Sequence, residues 1–154
     1  LKNNGYLCSE EIVRDLTIKK RDEGVDQYFL TDPLAFSIKL FNLRLKEYNK
    51  SFNSNLIIYD RGPIDVLAYL NFKSIEIPKD LINDSKKINY EYSFILNPWR
   101  DIYTQDSVRY ESYEECVIIH ELLIKEYEKF KIKLIVVPNG TIVERVRFIK
   151  KFLD

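Results

Sequence analysis

The chain has 154 residues, enough for one domain with a sizeable core. Charged residues make up 31% and balance at 24 basic against 24 acidic, so no net field draws the protein to nucleic acid or to a membrane surface. Cys8 and Cys116 stand far apart with no CxxC or Cys/His ligand pattern, which argues against a disulfide framework and for buried thiols in a cytoplasmic setting. No apolar run nears the roughly 18 residues a membrane-spanning helix needs.

In chain order, Gly5 to Ser9 reads as the end of a short strand. Ser9 then caps a helix running to about Glu23, with Glu10 and Glu11 in its first turn, where the helix dipole favours negative charge. Thr31 or Asp32 caps a second helix with Pro33 in its first turn, and Leu34, Ile38, Phe41, Leu45 and Tyr48 form its apolar stripe. After a polar turn, Leu56 to Tyr59 is an apolar, β-branched strand that breaks into Asp60-Arg61-Gly62-Pro63 and resumes as a helix to about Phe72.

A short polar helix is expected over Pro78 to Ile88, and a buried strand over Tyr92 to Leu96, stopped by Asn97-Pro98-Trp99. A polar segment, Arg100 to Glu111, leads into a long helix ending near Phe130, with Tyr113, Cys116, Val117, His120, Leu123, Ile124 and Tyr127 on one face. A last strand, Lys133 to Val137, turns through Pro138-Asn139-Gly140-Thr141 into a helix over Ile142 to Leu153. Strands and helices interleaved in this way predict an α/β protein with a mostly parallel sheet, whose continuously apolar strands are covered on both faces. The expected organisation is a single domain over residues 1–154.

In an open α/β sheet, ligands bind at the carboxyl ends of the strands. An aspartate there, Asp60, is suited to Mg²⁺, which takes oxygen ligands and keeps several waters. Arg61 beside it offers a planar fork for phosphate, and Gly62 permits a sharp turn. The bland alternative is that Asp60 caps the next helix and Arg61 is a surface charge. Glu11 and Arg14 share one face of the first helix. Glu11 is placed to accept a hydroxyl proton and Arg14 to bind polar groups of a substrate, or the two form a surface ion pair. Arg100, Asp101, Asp106 and Arg109 lie in the polar segment after the third strand, whose arginines can close over a transferring phosphoryl group and screen its charge, or the segment is a solvated loop. Pro138 to Thr141 can hold a nucleobase through backbone groups, or form a plain strand-to-helix turn capped by Thr141. His120 reads as a half-buried core histidine and Trp99 as a packing residue.

Asp60-Arg61-Gly62, Asp65 and Ala68-Tyr69 resemble the D-R-x…D/S…A-Y signature of thymidylate-kinase-like and nucleoside-kinase-like P-loop proteins. The chain is more similar to the AAA-domain ATPase/kinase family related to the ribosylnicotinamide kinase domain of bacterial NadR-like proteins. The E-x-x-R motif falls on Glu11 and Arg14. The P-W-x-D-I-Y-x-x-D-x-x-R-x-E-S motif falls on Pro98, Trp99, Asp101, Ile102, Tyr103, Asp106, Arg109, Glu111 and Ser112. An I-H pair falls on Ile119-His120, and V-P-x-G-(S/T)-x-x-E-R on Val137, Pro138, Gly140, Thr141, Glu144 and Arg145.

The resemblance implies a three-layer α/β/α P-loop kinase fold that uses ATP or another NTP with Mg²⁺ and a small-molecule acceptor. By the same resemblance Asp60 is the metal-side carboxylate, with Arg61 and Glu11 in the catalytic set. Arg100 and Arg109 belong to a lid over about residues 98–112. Arg14, Asp65 and Tyr69 lie on the acceptor side, and Pro138, Asn139, Gly140 and Thr141 form the base-binding loop. The family also carries a strand and a G-x-x-x-x-G-K-(S/T) loop ahead of these motifs. The four glycines, Gly5, Gly24, Gly62 and Gly140, cannot build that loop, and the sequence has no methionine. The expectation is therefore a longer natural chain with the loop upstream, on a strand next to Leu56–Tyr59. Residues 1–154 alone are expected to be inactive. Two other functions remain on this reading: a regulatory NTPase switch without an acceptor, and a non-catalytic binding domain on a kinase-like fold.

Overall fold

The computed structural model describes residues 1–9, 12, 31–50, 56–104 and 111–153. The helix expected after Ser9, with Glu11 and Arg14, lies outside the described residues, as do Asp106 and Arg109. The chain forms two compact units, Leu1–Ser85 and Lys86–Asp154.

In the first unit a 3₁₀ turn, Lys2–Asn4, ends at Gly5 in the left-handed conformation, φ 87°. The chain then extends, and Cys8 pairs in parallel with Ile58. The Ile58 amide donates to the Leu7 carbonyl at 2.9 Å, and the Ser9 amide donates to the Ile58 carbonyl at 2.8 Å. The expected strand over Leu56–Tyr59 is thus one bridge long among the described residues. Its physical reason is local: the next amide in register, that of Asp60, donates to Ser9 Oγ at 3.3 Å, so a side chain ends the ladder.

Helix α1, Pro33–Tyr48, follows the expected start: the Asp32 carboxylate accepts the Ala35 amide at 2.9 Å, and Pro33 occupies the first position. Its buried stripe differs from the expected one. Ser37, Leu40, Phe41 and Arg44 are buried, whereas Leu34 is exposed and Ile38, Leu45 and Tyr48 are half-buried. The face turned inward carries an arginine, because that arginine has a buried main-chain partner described below.

Helix α2, Pro63–Phe72, buries Pro63, Ile64, Asp65, Val66, Leu67, Ala68 and Leu70 and packs against α1. A helix apolar on nearly every side belongs in the centre of a core. Each large side chain so buried contributes roughly 1.5–3 kcal/mol. Helix α2 closes with Ser74 left-handed at φ 54° and the Ile75 amide donating to the Leu70 carbonyl at 2.9 Å, a Schellman-type end. Helix α3, Lys79–Ser85, buries Leu81 and Ser85.

In the second unit β1, Ser93–Leu96, pairs in parallel with β2, Leu134–Val137, in the register Ser93 to Leu134 and Leu96 to Val137. Parallel strands need a crossover, and α4, Tyr113–Lys129, lies within it. Ser112 and Glu115 form the reciprocal cap at its start: the Glu115 amide donates to Ser112 Oγ at 3.1 Å, and the Ser112 amide donates to Glu115 Oε2 at 2.7 Å. The fully buried positions of α4 are Ile119 and Glu126, so its inner face is turned from the expected one, whose members are half-buried. Helix α5, Ile142–Leu153, lays Phe152 beside Tyr92 and Phe94, with ring centroids 5.9 and 5.5 Å away, and Phe148 packs on Phe152 at 5.5 Å. Helices mixed with a small parallel sheet bear out the expected α/β class. No described helix is long and apolar enough to cross a membrane.

Candidate functional site

The turn Asp60-Arg61-Gly62 joins the extended run at Ile58 to α2. Three main-chain groups of this turn are held by side chains from three segments. Ser9 Oγ accepts the Asp60 amide at 3.3 Å. The Asp65 carboxylate accepts the Gly62 amide at 2.7 Å. The Arg44 guanidinium donates to the Gly62 carbonyl at 3.2 Å. Asp65 and Arg44 are only 7% and 6% exposed, so these two bonds lie in the interior, where polar contacts are strongest and most costly to lose. The capping group of α2 is therefore Asp65 folding back on Gly62, and Asp60 is not a helix cap.

Arg61 is left-handed, φ 68°. Two other non-glycine residues share positive φ among the described residues, Ser74 and Lys131. Both sit just past a helix end, where that conformation is routine. Arg61 ends no helix. A non-glycine residue held there costs roughly 1–2 kcal/mol and persists only where the surroundings impose it, as they do at many functional sites.

The Arg61 guanidinium donates to the Tyr69 hydroxyl at 3.2 Å and lies 5.8 Å from the Tyr69 ring centroid. Burial works to lower its pKa, but the fields of Tyr69, Asp65 and Asp60 and the hydrogen bond to Tyr69 outweigh it. The net shift is upward, so Arg61 is a permanent cation. Asp60 is exposed, and among the described residues no hydrogen bond or ion pair occupies its carboxylate; its one described electrostatic partner is Arg61. The turn thus presents an exposed carboxylate and a fixed positive charge at the end of an extended segment.

No three His, Cys, Asp or Glu side chains cluster as a metal cage among the described residues. Mg²⁺ does not require one, since it is commonly held by one or two carboxylates, water and substrate phosphate. A single accessible Asp60 carboxylate beside a cation that can take phosphate fits that requirement.

The second unit holds the remaining candidates. The Arg100 guanidinium pairs with Glu114 at 2.9 Å and lies 4.7 Å from the Tyr113 ring centroid. The two side chains are 69% and 70% exposed, so the pair is solvated and readily exchanged for another anion. Its hydrogen bond from Arg100 holds the Glu114 carboxyl below the usual carboxylate range. Trp99 donates its indole N–H to Asp101 at 3.1 Å, and the Tyr103 hydroxyl donates to the Glu111 carbonyl.

In the loop after β2, Thr141 gives both its amide and its hydroxyl to Glu144 Oε2, at 2.7 and 2.8 Å. Those bonds, the amide first, hold the Glu144 carboxyl below its usual range. A Cβ on Gly140 would meet the same carboxylate oxygen at 2.9 Å, so glycine is what lets Glu144 close on Thr141. Thr141 is thereby committed to capping α5, and exposed Pro138 and Asn139 keep their surfaces open.

Compared with known protein families, residues 1–145 match the AAA domain. The chain belongs to the AAA-domain family. Neither the curated proteins nor the solved structures give a match. An AAA domain is a P-loop, nucleotide-binding domain of the kind that takes NTP with Mg²⁺. In this AAA domain the structure brings together Asp60, Arg61, Asp65 and Tyr69 of the expected site. Arg100 and the 138–141 loop lie in the other unit, and Glu11, Arg14 and Arg109 are outside the described residues. Reading the sequence missed Arg44. The available signal was its place three and four residues beyond Phe41 and Leu40, on the stripe where an arginine needs a buried partner.

Proposed function

We propose that the protein is a Mg²⁺- and ATP-dependent kinase of a small-molecule hydroxyl acceptor, of the ribosylnicotinamide-kinase-like type. The observation that carries this reading is the Asp60–Gly62 turn, with its accessible carboxylate, its strained and permanently charged arginine, and its buried supports. A phosphoryl-transfer site works by positioning and charge stabilisation, which is what such a preorganised turn supplies. The match to an AAA domain runs through both units, which supports one nucleotide-binding domain.

In this mechanism Asp60 would hold Mg²⁺. The ion, when bound, neutralises charge on the phosphate oxygens. Arg61 offers its fork to phosphate, and Tyr69 fixes the direction of that fork. Asp65 keeps the turn in register and adds to the field on Arg61. Glu11 takes the acceptor's proton and Arg14 orients the acceptor. Arg100 leaves Glu114 for the transferring phosphoryl group, joined by Arg109. Pro138, Asn139 and Gly140 face the base with main-chain groups, while Thr141 remains a cap.

The test uses the full-length protein with MgATP and a panel of nucleoside-like acceptors, following ADP release and phosphate transfer to the acceptor. Acceptor-stimulated turnover is expected, and Asp60→Asn should reduce it by roughly 10²-fold or more. Wild-type turnover by Asp60→Asn with every acceptor contradicts the role of Asp60. Hydrolysis indifferent to all acceptors favours a regulatory NTPase switch instead.

A further inference from the structure

We infer that Arg44 is a positioning residue for the phosphate-and-metal turn: from its buried place on α1 it fixes the Gly62 carbonyl and so holds Asp60 and Arg61 in their working geometry. The inference rests on the reading of Asp60 as the metal-side carboxylate.

Arg44 lies on the core stripe of α1 with Ser37, Leu40 and Phe41. A guanidinium is rarely buried without an acceptor that repays its lost hydration. At this position it donates to a carbonyl 18 residues away, 3.2 Å from its Nη1. That carbonyl belongs to the residue after the strained Arg61. The same residue's amide is taken by Asp65 at 2.7 Å. Both main-chain groups of Gly62 are therefore held by buried charged side chains of opposite sign, one from α1 and one from α2. On the other flank, Ser9 holds the Asp60 amide.

The Gly62 amide lies in the peptide that follows the left-handed Arg61, and the Gly62 carbonyl lies in the next peptide, which opens α2. Asp65 holds the first of these from within α2. Arg44 ties the second to α1, so the start of α2 and the turn ahead of it cannot shift together. When it is lost, the turn relaxes and the Asp60 carboxylate moves relative to the Arg61 fork. Nucleotide contacts made elsewhere keep their strength, so the damage falls on the Mg²⁺-dependent part of binding. Groups that orient a ligand from behind commonly alter metal affinity by about 10–100-fold.

The experiment uses the full-length protein and compares wild type with Arg44→Met and Arg44→Lys. One readout is amide hydrogen exchange at Gly62 against Val66 to Leu70 in α2. The other is nucleotide binding titrated with Mg²⁺ and, separately, with EDTA. For Arg44→Met, Gly62 exchange should rise by roughly tenfold while the α2 amides stay within about threefold. The Mg²⁺ concentration for half-maximal effect should rise roughly tenfold, with binding in EDTA unchanged. Arg44→Lys keeps a donor and should recover part of both effects; it carries the same test if Arg44→Met does not fold. Uniform loss of protection across α1 and α2, or a Gly62 amide and Mg²⁺ response that stay at wild-type values, overturns the positioning role. Wild-type nucleotide binding that ignores Mg²⁺ overturns the proposed function and this role together.

Discussion

Removing the Asp65 carboxylate tests the architecture of the turn before any question of chemistry. Asp65 is 7% exposed and accepts the Gly62 amide at 2.7 Å. A hydrogen bond to a charged group is worth about 1.5–3 kcal/mol, and truncation leaves a buried amide unpaired. A negative charge in the first turn of a helix adds roughly 0.3–1 kcal/mol. Together these predict that Asp65→Ala destabilises the protein by about 2–4 kcal/mol. Asp65→Asn keeps an acceptor but no charge and should lose about 1 kcal/mol. With a urea m-value of about 2 kcal/mol/M, the midpoint for Asp65→Ala falls by about 1–2 M, read by far-UV circular dichroism. Asp80→Ala, in the first turn of α3, is the control: it loses only the helix-dipole contribution and should move the midpoint by no more than about 0.5 M. If Asp65→Ala behaves like Asp80→Ala, the buried cap does not hold the turn and the reasoning fails.

Three further outcomes follow from named contacts. Arg61→Gly relieves the left-handed strain that Arg61→Ala retains, so the glycine variant should be the more stable by about 1 kcal/mol; equal melting temperatures would argue that φ 68° carries no strain. Gly140→Ala places a side chain at φ 157° and against the Glu144 carboxylate, so it should lower the melting temperature; the backbone part of that loss should remain in a Glu144→Ala background and the part through Glu144 should vanish, and fully additive losses would show that the two do not share a contact. Burial pushes the pKa of His120 down, against the raising field of Glu121, so protonation favours the unfolded chain. The stability held by neutral His120 is present above the unfolded pKa of about 6.5 and is lost as pH falls below it; His120→Gln should flatten the decline in melting temperature from about pH 7.5 to 5.5, and an unchanged slope counts against it.

What was legible in the sequence was local. Asp32 with Pro33 marks the start of α1 within a few residues of chain. The Thr141 cap was read as one of two possibilities, and Glu144 completes it. Helix α5 occupies the span expected for it. The paired Ser112 and Glu115 are equally readable as a capping box.

Less legible was anything set by a distant partner. The inward faces of α1 and α4 turn slightly from their apolar stripes because Arg44 and Glu126 are buried, and polarity alone places such residues outside. The role of Arg44 depends on a carbonyl 18 residues on, which no periodicity reports. The ending of the Ile58 ladder depends on a hydroxyl 51 residues from the Asp60 amide. For the candidate site, the residue types at 60, 61, 65 and 69 were readable, but the strain at Arg61 and the supports under Gly62 arise only on folding.

The most direct test of the central claim is calorimetric titration of the full-length protein with ATP, in Mg²⁺ and in EDTA, for wild type and Asp60→Asn. The account predicts that wild type binds more tightly with Mg²⁺ and that Asp60→Asn loses most of this Mg²⁺-dependent gain while keeping its affinity in EDTA. An Asp60→Asn protein with the full wild-type gain from Mg²⁺ would contradict it.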